Sequence, residues 1–193
     1  MKTEKTITYF SKPGKENTKD CAEIAVSRAK ELGLSDIVVA SSSGYTAEIF
    51  FEAAKKENRH LVVVTHAAGF SKPGVQDFDA QTKERLMREG VTFVTGTHAL
   101  SGMERAISRR LGGASRTEAI AEAFRRTVAV GMKVAVECVL IAADSGAIPV
   151  DREVVAAGGT EEGADTVVVI RPSHTASFFD LQVREFAAMP RER

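Results

Sequence analysis

Cysteine is nearly missing from this chain, and neither sign of charge is in excess. Cys21 and Cys138 are the only cysteines in 193 residues, and they form no metal-ligand spacing. That leaves neither a disulfide framework nor a zinc site to be read from cysteine. Both fall among apolar residues in helix-like stretches, which predicts small buried hydrophobes in a reducing compartment. Lys+Arg and Asp+Glu are both 26, so the net charge is zero. A protein without a basic surface releases few counterions, which argues against bulk nucleic-acid binding and leaves only a local basic rim. Long apolar runs are missing too. The longest, Val128 to Ala143, is broken by Lys133 and Glu137 and is too short to cross a bilayer. Met1 is followed by Lys2-Thr3-Glu4-Lys5-Thr6 with no apolar signal region behind it, so the chain is expected to be cytoplasmic. Linker and low-complexity segments are not visible, so residues 1–193 are expected to form one domain, with no membrane partner.

What is present is an alternation of short β-branched runs and helical patterns. Ile7-Thr8-Tyr9 precedes a helix from about Asn17 to Leu32. Ile37 to Ala40 precedes a helix from about Tyr45 to Asn58. Leu61 to Thr65 leads through a polar loop to a helix from about Asp79 to Glu89, and Val91 to Val94 follows. This βαβαβαβ order predicts a three-layer αβα fold with a mostly parallel sheet, and the uninterrupted apolar strands fit burial on both faces. The second half reads as helices Ser101–Leu111, Ser115–Val128 and Met132–Asp144, the last apolar on nearly every side and therefore central. Strands Glu153–Ala157 and Thr166–Ile170 follow, and Phe178 to Leu181 is either an edge strand or a last helix. Asn17 and Asp79 suit helix N-caps. Ser101 with Glu104, and Ser115 with Glu118, have the spacing of capping boxes.

Phe10-Ser-Lys-Pro-Gly14 recurs as Phe70-Ser-Lys-Pro-Gly74, each after a strand. Pro followed by Gly suits the centre of a type II turn. The repeat is either two uses of a convenient turn or two loops facing one site, each offering a ring and a lysine.

Ligands of open parallel sheets bind at the carboxyl ends of the strands. The loop after Ala40, Ser41-Ser42-Ser43-Gly44-Tyr45-Thr46, joins a strand directly to a helix. Hydroxyls, the first helical N–H groups and the helix dipole all favour an anion there, and Gly44 leaves room for it to approach. The competing reading is an N-capping Ser/Thr cluster with nothing bound. The turn is neither a Walker A loop nor GxGxxG. Two more strand ends carry histidines: Thr65-His66-Ala67-Ala68-Gly69-Phe70 and Gly96-Thr97-His98. A third ligand at useful spacing is not evident, so hydrogen bonding is expected of them rather than metal binding. His60 is expected on the surface before a strand, and His174 is placed to reach the same rim. Lys133 and Glu137, four apart, read as a buried ion pair.

The strand followed by Ser-Ser-Ser-Gly-Tyr-Thr-Ala resembles the pyruvate kinase C-terminal domain, where an equivalent turn holds a phosphate of a sugar bisphosphate activator. Val155 to Thr166 resembles that domain's final Gly-rich hairpin. The closer resemblance is to stand-alone proteins built only from this domain, mostly archaeal. It is carried by Phe10 to Thr18, Thr65 to Phe70, Gly131 to Glu137 and Gly158 to Thr166, and spans nearly the whole chain. The resemblance implies a pyruvate kinase C-terminal-like fold. Pyruvate kinase activity is not implied, because the catalytic barrel needs about 250 residues of its own. Members of the stand-alone family bind flavin mononucleotide (FMN), which makes FMN the expected cofactor. The Ser41 to Thr46 turn would take its phosphate, and the loops Thr65 to Phe70 and Gly96 to His98 would border its ring. Phe10, Tyr45 and Phe70 are candidates to stack on it, and Asn17 and Lys72 complete the candidate set. The alternative is a regulatory module that senses a sugar phosphate without catalysis. The role of Gly158-Gly159-Thr160 is left open by the sequence, and assembly through helices makes a homo-oligomer an expectation of the resemblance.

Overall fold

The apolar runs build the sheet. In the computed structural model, which describes residues 2–192, the strands are β1 (Thr8–Phe10), β2 (Asp36–Ala40), β3 (His60–Thr65), β4 (Thr92–Thr95), β5 (Val154–Gly158), β6 (Thr166–Arg171) and β7 (Gln182–Pro190). They lie in the order β1-β7-β6-β5-β2-β3-β4. Only β6 is reversed, pairing antiparallel with β5 and β7, while every other pairing is parallel. Successive side chains of a strand point to opposite faces, so each strand feeds two cores. Ile37, Val39, Leu61 and Val63 enter one. Val38, Val62 and Val64 enter the other.

Helices α1 (Thr18–Leu32), α2 (Tyr45–Lys56) and α3 (Ala80–Arg88) cover the first face. Helices α4 (Gly102–Leu111), α5 (Arg116–Thr127) and α6 (Val130–Asp144) lie on the second, with α6 nearly all buried. Gly131 and Gly158 let α6 press on the sheet, since a Cβ on Gly158 would stand 2.4 Å from the Gly131 carbonyl oxygen. The two cysteines are buried and free, one in each core. No helix of the described residues is long and apolar enough to cross a membrane.

Several expectations need correcting. The segment Thr175–Asp180 is a 3-10 turn, and the last strand runs from Gln182 to Pro190 between β1 and β6. Arg184 and Glu185 hid this strand in the sequence. They find partners in Glu153 and Arg28, at 3.1 and 3.3 Å. β1 therefore sits at an edge of the sheet, with three strands between it and β2. His60 opens β3 and is half-buried, bonded to Asp36 (2.8 Å) and Thr92 (2.9 Å). The box at Ser115 and Glu118 forms as expected. The one at Ser101 does not, because Glu104 turns instead to the backbone N–H and hydroxyl of Thr117. Asp79 caps α3, whereas Asn17 caps nothing and instead donates to the carbonyls of Lys12 and Gly14.

Candidate functional site

The strand order places a crevice at β2. From β2 the chain leaves through α2 on one face, and it reaches the neighbouring β5 through α6 on the other. The carboxyl ends of β2 and β5 lie between these two helices, and parallel sheets bind ligands outside the carboxyl ends of their strands. A cavity of about 220 Å³ opens there. Its walls are the turn after β2, the ends of β3 and β4, helix α6 and the Gly-rich loop between β5 and β6.

The turn supplies Ser41, Ser42, Ser43 and Thr46 to this cavity. Ser41 is buried, and its Oγ accepts the Ala47 N–H at 3.3 Å. The capping reading of the cluster thus holds for Ser41. Gly44, the residue before α2, has φ 117, a conformation that favours glycine. A Cβ on it would meet Phe78 and Thr82 at the ordinary contact distances of 3.5 and 3.6 Å, so the turn's backbone conformation is what calls for glycine, and Gly44 itself does not line the cavity.

Thr65, His66 and Phe70 enter from the end of β3, and Gly96 and His98 from the end of β4. The Thr65 and Thr95 hydroxyls share a hydrogen bond of 2.8 Å, and the Gln76 amide donates to Thr65 at 3.0 Å. Three rings cluster beside them. The centroids of His66 and Phe70 are 3.9 Å apart, and His98 lies 5.5 Å from His66 and 5.4 Å from Phe70. Burial, reinforced by the neighbouring His98, holds His66 below the usual histidine pKa despite Asp77 nearby.

From α6 come Lys133 and Glu137, both buried. Glu137 Oε2 accepts from Lys133 Nζ at 2.5 Å and bonds His98 Nδ1 at 3.0 Å, while its Oε1 accepts the Leu100 N–H at 2.9 Å. Burial alone would raise the Glu137 pKa. The bond to His98 and the charge of Lys133 outweigh it and bring the carboxyl down to about 2. Burial lowers Lys133, against the pull of Glu137.

Other predicted site residues fall elsewhere. Phe10 is a core residue and does not reach the cavity. Tyr45 lines a separate groove between α1 and α2, under the Lys15 ammonium at 5.8 Å. Thr97 belongs to a neighbouring cleft beside α4. Gly69 and Lys72 are exposed in the loop after β3, and Asn17 stabilises the loop after β1. His174 bonds toward Asp144 at 3.3 Å, away from the cavity, because the reversed β6 sends its following loop to the opposite end of the strands. The two repeat copies also differ. Lys72 to Val75 closes the expected turn, with Val75 N–H on the Lys72 carbonyl and Gly74 at φ 74. Gly14 is instead tied by its N–H to Asp165, and Lys15 pairs with Glu162. The first copy thus braces the Gly-rich loop rather than offering a ring to the site.

The sequence did not point to Arg105 or Arg125, and it marked the Gly158 to Thr166 loop only by resemblance, without a role; Arg105, Arg125 and Glu161 to Gly163 all line the cavity. Only the opposite charges inside an apolar helix signalled that α6 carried something polar. Among the described residues, no group of three potential ligands is placed to hold a metal. A family model described as the pyruvate kinase alpha/beta domain matches residues 19–170, most of the chain and every wall of this cavity, and the protein belongs to that family.

Proposed function

We propose that the cavity binds a phosphate-bearing small molecule, with FMN as its cofactor. One observation carries this reading: a single cavity is lined at once by the Ser41 to Ser43 turn at the start of α2 and by the His66, Phe70 and His98 rings. A helix N-terminus favours a phosphate, and a cluster of flat rings favours a planar heterocycle. One polar atom supports a ligand at this place: His98 Nε2 is buried without a hydrogen-bond partner, whereas His66 Nδ1 faces Asp77. Ser42, Ser43 and Thr46 would hold the phosphate, and His66 and Phe70 would border the ring. A bound flavin supplies redox chemistry, while the residues here supply position and electrostatics.

The test is a fluorescence titration of the full chain with FMN and with riboflavin, which lacks the phosphate. Wild-type protein is expected to bind FMN more tightly. Ser43→Glu, which sets a negative charge on the exposed lip of the turn, should weaken FMN at least tenfold and leave riboflavin unchanged. Equal affinity for the two flavins in the wild type would place the phosphate elsewhere. No quenching by either would sink the flavin reading. Binding of a sugar bisphosphate instead would favour the regulatory module, a reading supported by the Gly-rich loop on the cavity wall.

A further inference from the structure

His98 and Glu137 are 39 residues apart in the chain, and the fold makes them a pair. The Glu137 carboxylate is 3% exposed, and all of its contacts are donors: Lys133 Nζ, the Leu100 N–H and His98 Nδ1. An ionised carboxylate only accepts. The hydrogen between the two side chains therefore belongs to His98 Nδ1, which sets the tautomer of the neutral ring. In that neutral ring the other nitrogen, Nε2, carries the lone pair. It is buried and has no partner, in a residue that lines the cavity. A buried polar atom left bare is costly, and a ligand donor would relieve that cost.

We propose that His98 is the proton-exchanging residue of this cavity, with Glu137 as its positioning residue. Its partner is an ionisable N–H or O–H at the end of the ligand remote from the phosphate. The inference rests on the reading that the cavity binds a ligand. In the step, the ligand's N–H or O–H bond breaks and its electron pair stays on the ligand heteroatom. The proton joins the Nε2 lone pair, and the imidazolium that results keeps its bond to Glu137 Oε2, which it shares with Lys133. The reverse step returns the proton, so no oxidant or reductant is needed. A carboxylate that orients an imidazole and balances its charge is a recurrent arrangement for acid–base work.

The charged groups around His98 suit this role. From α6 they are Glu137 and Lys133, already paired with each other. From the loop after β3 comes His66, whose Nδ1 is 3.6 Å from Asp77. Arg105 and Arg125 stand on the cavity wall from α4 and α5, and Glu161 and Glu162 from the loop after β5. None of these occupies Nε2.

Two measurements test the proposal. Long-range proton–nitrogen NMR on histidine-labelled full chain, without ligand and near neutral pH, should give His98 the signature of the Nδ1–H tautomer. Glu137→Gln should abolish that preference. An Nε2–H signature in the free wild type overturns the proposal whatever the cavity binds. The absorption spectrum of bound FMN near neutral pH should then show the ring in its ionised form, the sign of this proton exchange. His98→Gln, which leaves the Lys133–Glu137 pair in place, should remove that exchange and weaken FMN about tenfold. Inorganic phosphate, which brings no remote donor, should bind the variant as it binds wild type. Exchange that persists in His98→Gln overturns the proposal. A wild-type protein that does not bind FMN overturns the flavin reading alone, and the tautomer of the free protein then decides the role of His98.

Discussion

Lys133 and Glu137 are opposite charges one helical turn apart inside a helix of apolar residues, and their pairing was readable from that spacing. The third member, His98, was not, because nothing in the sequence announces a contact between the end of β4 and the middle of α6. The cost of such a buried pair appears when one partner is removed. Lys133→Met would leave the Glu137 carboxylate in the core without its closest cation, and a loss of about 3–5 kcal/mol is expected. Urea unfolding of the variant measures it. A loss below about 1 kcal/mol would mean that the pair behaves as if it were solvated. Gly44 shows the opposite limit of legibility. The sequence identified the position, but only φ 117 shows why glycine is there.

At the scale of elements, local rules worked where the partner groups were local. Ser115 and Glu118 lie within one turn and close their box. Ser101 and Glu104 have the same spacing, but α5 packs beside α4, and Thr117 takes the carboxylate. The two serines should therefore respond differently. Ser115→Ala removes a working cap and is expected to cost about 1 kcal/mol. Ser101 is buried with an unpartnered hydroxyl, so Ser101→Ala should fall within about 0.5 kcal/mol of wild type. Thermal or urea unfolding of both decides it, and equal losses would refute the assignment of the caps. β7 fails as a local reading for the same reason. Of its charged residues, Glu185 meets Arg28 from α1, while Arg184 stays half exposed beside Glu153.

The whole molecule sets its response to acid. Glu137 has a folded pKa of about 2 against an ordinary value of 4.5. A lowered carboxyl contributes stability that is complete above the ordinary value and is lost as pH falls through the folded one. His66 is likewise lowered from 6.5, so the folded state resists its protonation and also loses stability on acidification, beginning at a higher pH. Urea midpoints measured on descending pH should fall, and the fall should be shallower between 4.5 and about 2 in Glu137→Gln. An unchanged acid slope in that variant would show that Glu137 does not drive it.

The sequence by itself determined the alternation of strands and helices, the burial of α6 and the turn after β2. All of these follow from periodicity and turn chemistry acting over a few residues. The cavity needed tertiary structure. Its position depends on which strands become neighbours: β5 beside β2, with connections on opposite faces. It also depends on the reversal of β6, which carries His174 to the opposite end of the strands. The repeated Phe-Ser-Lys-Pro-Gly segments are identical as text, yet one phenylalanine lies in the core and the other at the cavity. Local sequence limits the conformations open to such a loop, but the strand it follows decides what it faces.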